Sequence, residues 1–159
     1  MKNNDGSYLQ DKLADAMKAY TMDNKGYSHR FPDTKSARGN FIQSQPGDFF
    51  LLVPAGSILI ECKSTVSNAT LLSLAWHGDV GKRQIAKHKL WQRAGHPSLY
   101  LFGNLTEGKN KATFEWHLGK NVINKTYTPA VTGTMKEISS SLAHIIHHIS
   151  SQGSSLYGH

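Results

Sequence analysis

The chain has 159 residues, enough for one domain with a buried core and short for two. Its 18 lysines and arginines outweigh 11 acids, and the net charge of +7 favours an anionic partner such as nucleic acid or a membrane surface. The single cysteine, Cys62, excludes a disulfide framework or a multi-thiolate site, while the absence of a signal-like N-terminus or a bilayer-length apolar run makes the chain read as soluble and intracellular.

Leu9, Leu13, Met17 and Tyr20 recur at helical spacing and predict a first helix between Ser7 and Tyr20. From Asn24 to Gln45 the chain mixes Gly, Pro, Ser and Asn with His29, Arg30, Lys35 and Arg38, which predicts an exposed basic loop. Asp48–Val53 and Ser57–Lys63 are short β-prone runs around "PAG", and read as a hairpin. A polar loop is expected from Ser64 to Gly78. A basic helix follows in "DVGKRQIAKHKLWQRAG", with Val80, Ile85, Leu90 and Trp91 as its apolar positions and Gly95 as its stop. "SLYLFGNL" and "ATFEWHL" predict two more strands. A last helix, Thr134–Ser150, carries a seam of Met135, Ile138, Leu142, Ile145 and Ile149. The expectation is one α/β domain over residues 1–150, with a mixed sheet flanked by helices, and a disordered tail over 151–159.

Strand alternation puts Leu59, Glu61 and Lys63 on one face of the second hairpin strand and Ile58, Ile60 and Cys62 on the other. Closing the hairpin carries Asp48 toward the same end of the sheet. Two carboxylates at one point suit a hard divalent cation such as magnesium, with manganese as a substitute, and a lysine beside them can orient the attacking water and offset charge developing on a phosphate. The plain alternative is a turn-capping Asp48 and a solvated Glu61–Lys63 pair worth about 0–1 kcal/mol. Against it, Glu61 follows "SILI", the most apolar run in the chain, where unpaired charge is costly.

"PGD" at Pro46–Asp48 followed by "ECK" at Glu61–Lys63 resembles the pattern of the PD-(D/E)XK nuclease superfamily. "GKRQIAKHKLWQRAGHPSLYLFG" is similar to the region after the catalytic strand of RecU-type Holliday junction resolvases, with Arg83 in place of the His of an HQ pair and Gln84 as its glutamine. The resemblance extends through the strand at Ser98–Phe102. It implies a restriction-endonuclease-like core and a magnesium-dependent endonuclease that cuts four-way DNA junctions as a homodimer. Asp48, Glu61 and the Cys62 backbone carbonyl would hold the metal, Lys63 would assist water, and Gln84 would support the centre. Many relatives carry a glutamate near the start of the first helix, where this chain has Gln10 followed by Asp11; either residue is a candidate for that place. By position, the basic segment with Arg30, Lys35 and Arg38 matches one that enters the junction, with a solvated surface loop as the equal alternative. Lys82, Arg83, Lys87 and Lys89 suit phosphate contacts.

Other signals have plainer readings. His144, His147 and His148 fit the polar face of the last helix, and Trp76, Trp91 and Trp116 fit core packing better than base stacking. The apolar seam of that helix serves either a core or a dimer surface. The rival functions are a general nuclease of the same superfamily, acting on duplex or single-stranded DNA, and a non-catalytic basic DNA-binding module. Losing Lys63 would abolish cutting in the first and change only stability in the second.

Overall fold

"SILIECK" lies at the middle of the molecule because its alternate side chains are buried on both sides of a sheet. The computed structural model describes residues 5–24, 26–31, 47–54 and 56–156. Six strands follow one another in space as they do in the chain: β1 (Tyr27–Arg30), β2 (Phe49–Val53), β3 (Gly56–Thr65), β4 (Ser98–Asn104), β5 (Thr113–Leu118) and β6 (Val131–Thr134). All neighbours are antiparallel except β3 and β4. A parallel pair needs a long crossover, and α2 (Leu71–Ala75) with α3 (Gly78–Arg93) supplies it. The remaining helices are α1 (Asp5–Asn24), α4 (Gly119–Ile123) and α5 (Ile138–Leu156).

The helices sort onto two faces by where the apolar side chains point. Ile58, Ile60 and Cys62 of β3 pack with Phe49 and Leu51 of β2 and Trp116 of β5 against Leu9, Leu13 and Met17 of α1 and Leu142, Ile145 and Ile149 of α5. On the opposite face Tyr100 and Phe102 of β4 meet Leu71 and Ala75 of α2, Ile85 of α3 and Val122 of α4. The fold is therefore α/β, a mixed sheet between two helical layers. Gly81 lets α3 approach α2, since a Cβ there would come 2.6 Å from the Ala75 carbonyl oxygen.

Several elements differ from the sequence expectation. The segment read as a basic loop contains β1, whose "YSHR" shows no apolar alternation because it is a four-residue edge strand. Arg30 therefore lies on a strand, while Lys35 and Arg38 lie outside the described residues. The expected loop 64–78 contains α2, capped by the Thr70 hydroxyl, which accepts from Ser73 N at 3.1 Å. α4 and β6 are further additions; five and four residues are too few to display a period. Val80 and Leu90 are exposed, and the buried positions of α3 are Gly81, Ile85 and His88. α5 continues past Ser150 to Leu156, into the stretch expected to be disordered, because each added helical residue gains a backbone bond and no proline interrupts it.

All five seam residues are buried in the core of a single chain, so they are not a dimer surface. Trp116 is fully buried and its indole N–H donates to Ser141 Oγ at 2.8 Å; Trp76 and Trp91 donate to the carbonyls of Val122 and Ser57. Leu142→Ala should accordingly destabilise the folded chain by about 2–5 kcal/mol. Urea unfolding checks this: the midpoint should fall with the denaturant slope unchanged.

Candidate active site

Asp48 is fixed one residue before β2 by its own backbone. Its N–H donates to Ile60 O at 3.0 Å and its C=O accepts from Phe31 N at 2.9 Å, tying the acid between β3 and β1. The β2–β3 ladder ends at Phe49–Ile60, and Asp48, one residue earlier, lies close enough to Glu61 for its charge to raise that acid. Phe49, Leu51 and Val53 point into the α1–α5 core. Asp48 thus faces the other way, with Glu61 and Lys63.

The carboxylate completes a ladder that β2 begins too late to reach. Cys62 N donates to Asp48 Oδ2 at 2.7 Å, taking the place of a strand partner. A strand residue directs its N–H and C=O to the same neighbour, so the Cys62 carbonyl also lies on the β2 side, past the start of that strand. The thiol itself is buried and free.

Glu61 is only 2% exposed. Its Oε2 lies 3.8 Å from Lys63 Nζ, and its Oε1 is buried with no hydrogen-bond partner among the described residues. Burial first, and the Asp48 charge second, push its carboxyl well above the usual range. Asp48 is raised as well, by burial, against the opposing pull of the Cys62 N–H, Glu61, Lys63 and Arg30. Lys63 Nζ donates to Gln84 Oε1 at 2.7 Å, so α3 sets the lysine's direction from across the crossover.

The site's roof comes from two residues that the sequence did not single out. Tyr100 pairs with Glu61 across the parallel β3–β4 ladder, and the His88 ring lies 4.7 Å from the Tyr100 ring. The Tyr100 hydroxyl and both His88 ring nitrogens are buried without partners among the described residues. Burial, with Lys63 nearby, lowers His88 to about 3, so it is neutral at physiological pH. The available signal was spacing: His88 is one helical turn beyond Gln84.

Other candidates stand further out. Arg30 donates to Asp11 Oδ1 at 2.9 Å and to Gln10 Oε1 at 3.0 Å, and its charge reaches Asp48. Gln10 is thus held by an arginine rather than by the two acids. Lys82, Arg83 and Lys89 are exposed on the helix that carries Gln84, and Lys87 is half-buried. His144 and His147 are exposed and His148 half-buried on α5. In a second polar cluster Glu115 Oε1 accepts from Tyr127 Oη at 2.5 Å and lies 2.8 Å from His117 Nε2, holding the chain after α4 against β5, while His117 Nδ1 is buried without a partner among the described residues.

Asp48 and Glu61 suit a hard divalent cation. They are neighbouring acids, the Asp48 charge opposing the ionisation of Glu61, and one Glu61 oxygen is buried without a partner among the described residues. Among the described residues no three His, Cys, Asp or Glu side chains converge. A pair of carboxylates with a carbonyl is sufficient for magnesium, which keeps water and phosphate oxygens in its remaining positions. No protein-family model and no curated protein matches the chain.

The raised acids make a signed prediction. The folded chain keeps the Glu61 proton to a higher pH than the unfolded chain, whose carboxyl titrates near 4.5. Between those two values the folded state binds more protons, so stability falls as pH rises through that window. In chelator, urea unfolding should show this decline from about pH 4.5 upward, and Glu61→Gln should flatten it.

Proposed function

We propose that the chain is a magnesium-dependent DNA endonuclease of the PD-(D/E)XK type, acting on four-way junctions. The observation that carries this reading is the convergence on one sheet face of Asp48, Glu61 and Lys63, with Lys63 held by Gln84 at 2.7 Å. A solvated ion pair would not need a partially buried lysine oriented by a second helix.

Asp48, Glu61 and the Cys62 carbonyl would hold the ion, for which manganese can substitute. When bound, magnesium supplies Lewis-acid polarisation of the scissile phosphate and compensates the two negative charges. Lys63 orients the attacking water and stabilises charge that develops on the phosphate oxygens. Gln84 accepts from the ammonium and keeps it aligned without adding another charge. Tyr100 and His88 wall the site on the core side, where a low dielectric strengthens each of these interactions.

Lys82, Arg83, Lys87 and Lys89 would meet phosphates along α3, which position the substrate without reading its sequence. Arg30 serves the fold through Asp11 and Gln10 as well as the field around Asp48. Paired nicks need two such centres, hence a homodimer whose interface lies away from the buried α5 seam. Among the described residues no helix is long and apolar enough to cross a membrane.

Cleavage of an end-labelled four-way junction tests the reading. Magnesium should produce paired, symmetric nicks that chelator and Asp48→Asn abolish, while Lys63→Met should lower the rate about 10²–10⁴-fold with junction binding kept. Equal cutting of plain duplex would replace the junction reading with a general nuclease. No cutting of any DNA would overturn the enzyme. Replacing Lys82, Arg83 and Lys89 by Ala should reduce the salt slope of binding by about 0.9 for each phosphate that is no longer neutralised.

A further inference from the structure

One run of aromatic side chains is left uncovered by either helical layer. Tyr27 pairs with Leu52 and His29 with Phe50 across β1 and β2, so all four side chains share the face on which Asp48 lies. Tyr27 is 57% and Leu52 44% exposed; His29 is exposed, while Phe31 and Phe50 are half-buried. The ring centroids of His29 and Phe31 are 5.0 Å apart, and Phe50 lies 6.1 Å from Tyr27, 6.2 Å from His29 and 6.1 Å from Phe31. The rings are tilted to one another by 32° to 81°, so their flat faces are not used up in mutual stacking.

The strip runs directly into the candidate active site. Phe50 is the next residue after Asp48 on the same face, about 7 Å along the strand, and the Phe31 N–H donates to the Asp48 carbonyl. Among the described residues, the strip therefore leads directly to the acid that precedes β2. The chemistry of a ligand on the strip is narrowed by two facts. Flat rings with a tilted, partly polar lining suit nucleobases, each of which presents a π-face to stack. The chain's net charge of +7 favours a polyanion as the ligand.

We infer that Tyr27, His29, Phe31 and Phe50 form a stacking platform for unpaired nucleobases beside the candidate metal centre. The substrate class is then DNA whose bases are unpaired or unstacked next to the scissile phosphate, as on a single-stranded arm or at a branch point. Paired bases in a continuous duplex have no free face to offer, so the strip discriminates by base exposure rather than by sequence. This substrate assignment rests on the nuclease reading; the binding property does not.

The test is fluorescence anisotropy in chelator at one fixed salt concentration, with a labelled duplex bearing a thymidine arm and a blunt duplex of the same length. The double variant Tyr27→Leu, Phe50→Leu keeps apolar bulk at two accessible positions, and its thermal melt verifies folding. It should bind the armed substrate at least tenfold more weakly than the wild type while blunt-duplex affinity stays within about twofold. Unchanged affinity for the armed substrate would overturn the platform. So would equal weakening on both substrates together with a shift from dimer to monomer in sedimentation, which would assign the strip to a second copy. Wild type that binds the armed DNA through these rings yet cuts nothing in magnesium would support the platform and separately overturn the nuclease.

Discussion

The 2.7 Å hydrogen bond from Cys62 N to Asp48 Oδ2 joins the place where β2 starts to the middle of the central strand. It uses a carboxylate where the ladder would have used a backbone carbonyl. That substitution fixes Asp48 beside Glu61 and leaves two acids on one partly enclosed face. The surroundings of the pair follow from it: the lysine two residues along, the glutamine that holds the lysine, and the tyrosine and histidine that close the far side. Moving β2 by one residue against β3 would send Asp48 to the α1–α5 side and dissolve the cluster.

Two neighbouring carboxyls in such a setting resist ionising together. Lys63 compensates only part of this, because it is shared between Glu61 and Gln84 and is itself partly enclosed. The pair costs the fold stability at neutral pH. On the proposed reading a divalent cation would supply the missing positive charge, and the exposed basic ridge on α3 and the open aromatic strip on β1 and β2 would give a nucleic acid two different kinds of hold. The first would meet phosphates and the second uncovered bases.

The centre was legible in sequence where the chemistry is local. Glu61 and Lys63 follow from two-residue alternation, and Asp48 from a hairpin short enough to be read by eye. Gln84 depended on the resemblance rather than on any period, because its partner lies across a crossover. His88 and Tyr100 are invisible to pattern reading, since a histidine in a basic helix and a tyrosine in an apolar strand both have ordinary explanations. β1 escaped for a related reason: an edge strand whose outward residues are Tyr27 and His29 carries no apolar alternation, and the same exposed rings that hid the strand now form the platform. The α5 seam showed that something must cover it, but only the packing of α1 and the sheet showed that the cover is within the same chain.

The central claim is that Asp48 and Glu61 are placed together to bind a divalent cation. Calorimetric titration of manganese into the DNA-free chain at neutral pH tests it most directly, comparing the wild type with Asp48→Asn, Glu61→Gln and Lys63→Met. The account predicts saturable binding that either acid substitution removes and the lysine substitution retains. No binding by the wild type, or binding that both acid substitutions leave unchanged, would contradict it.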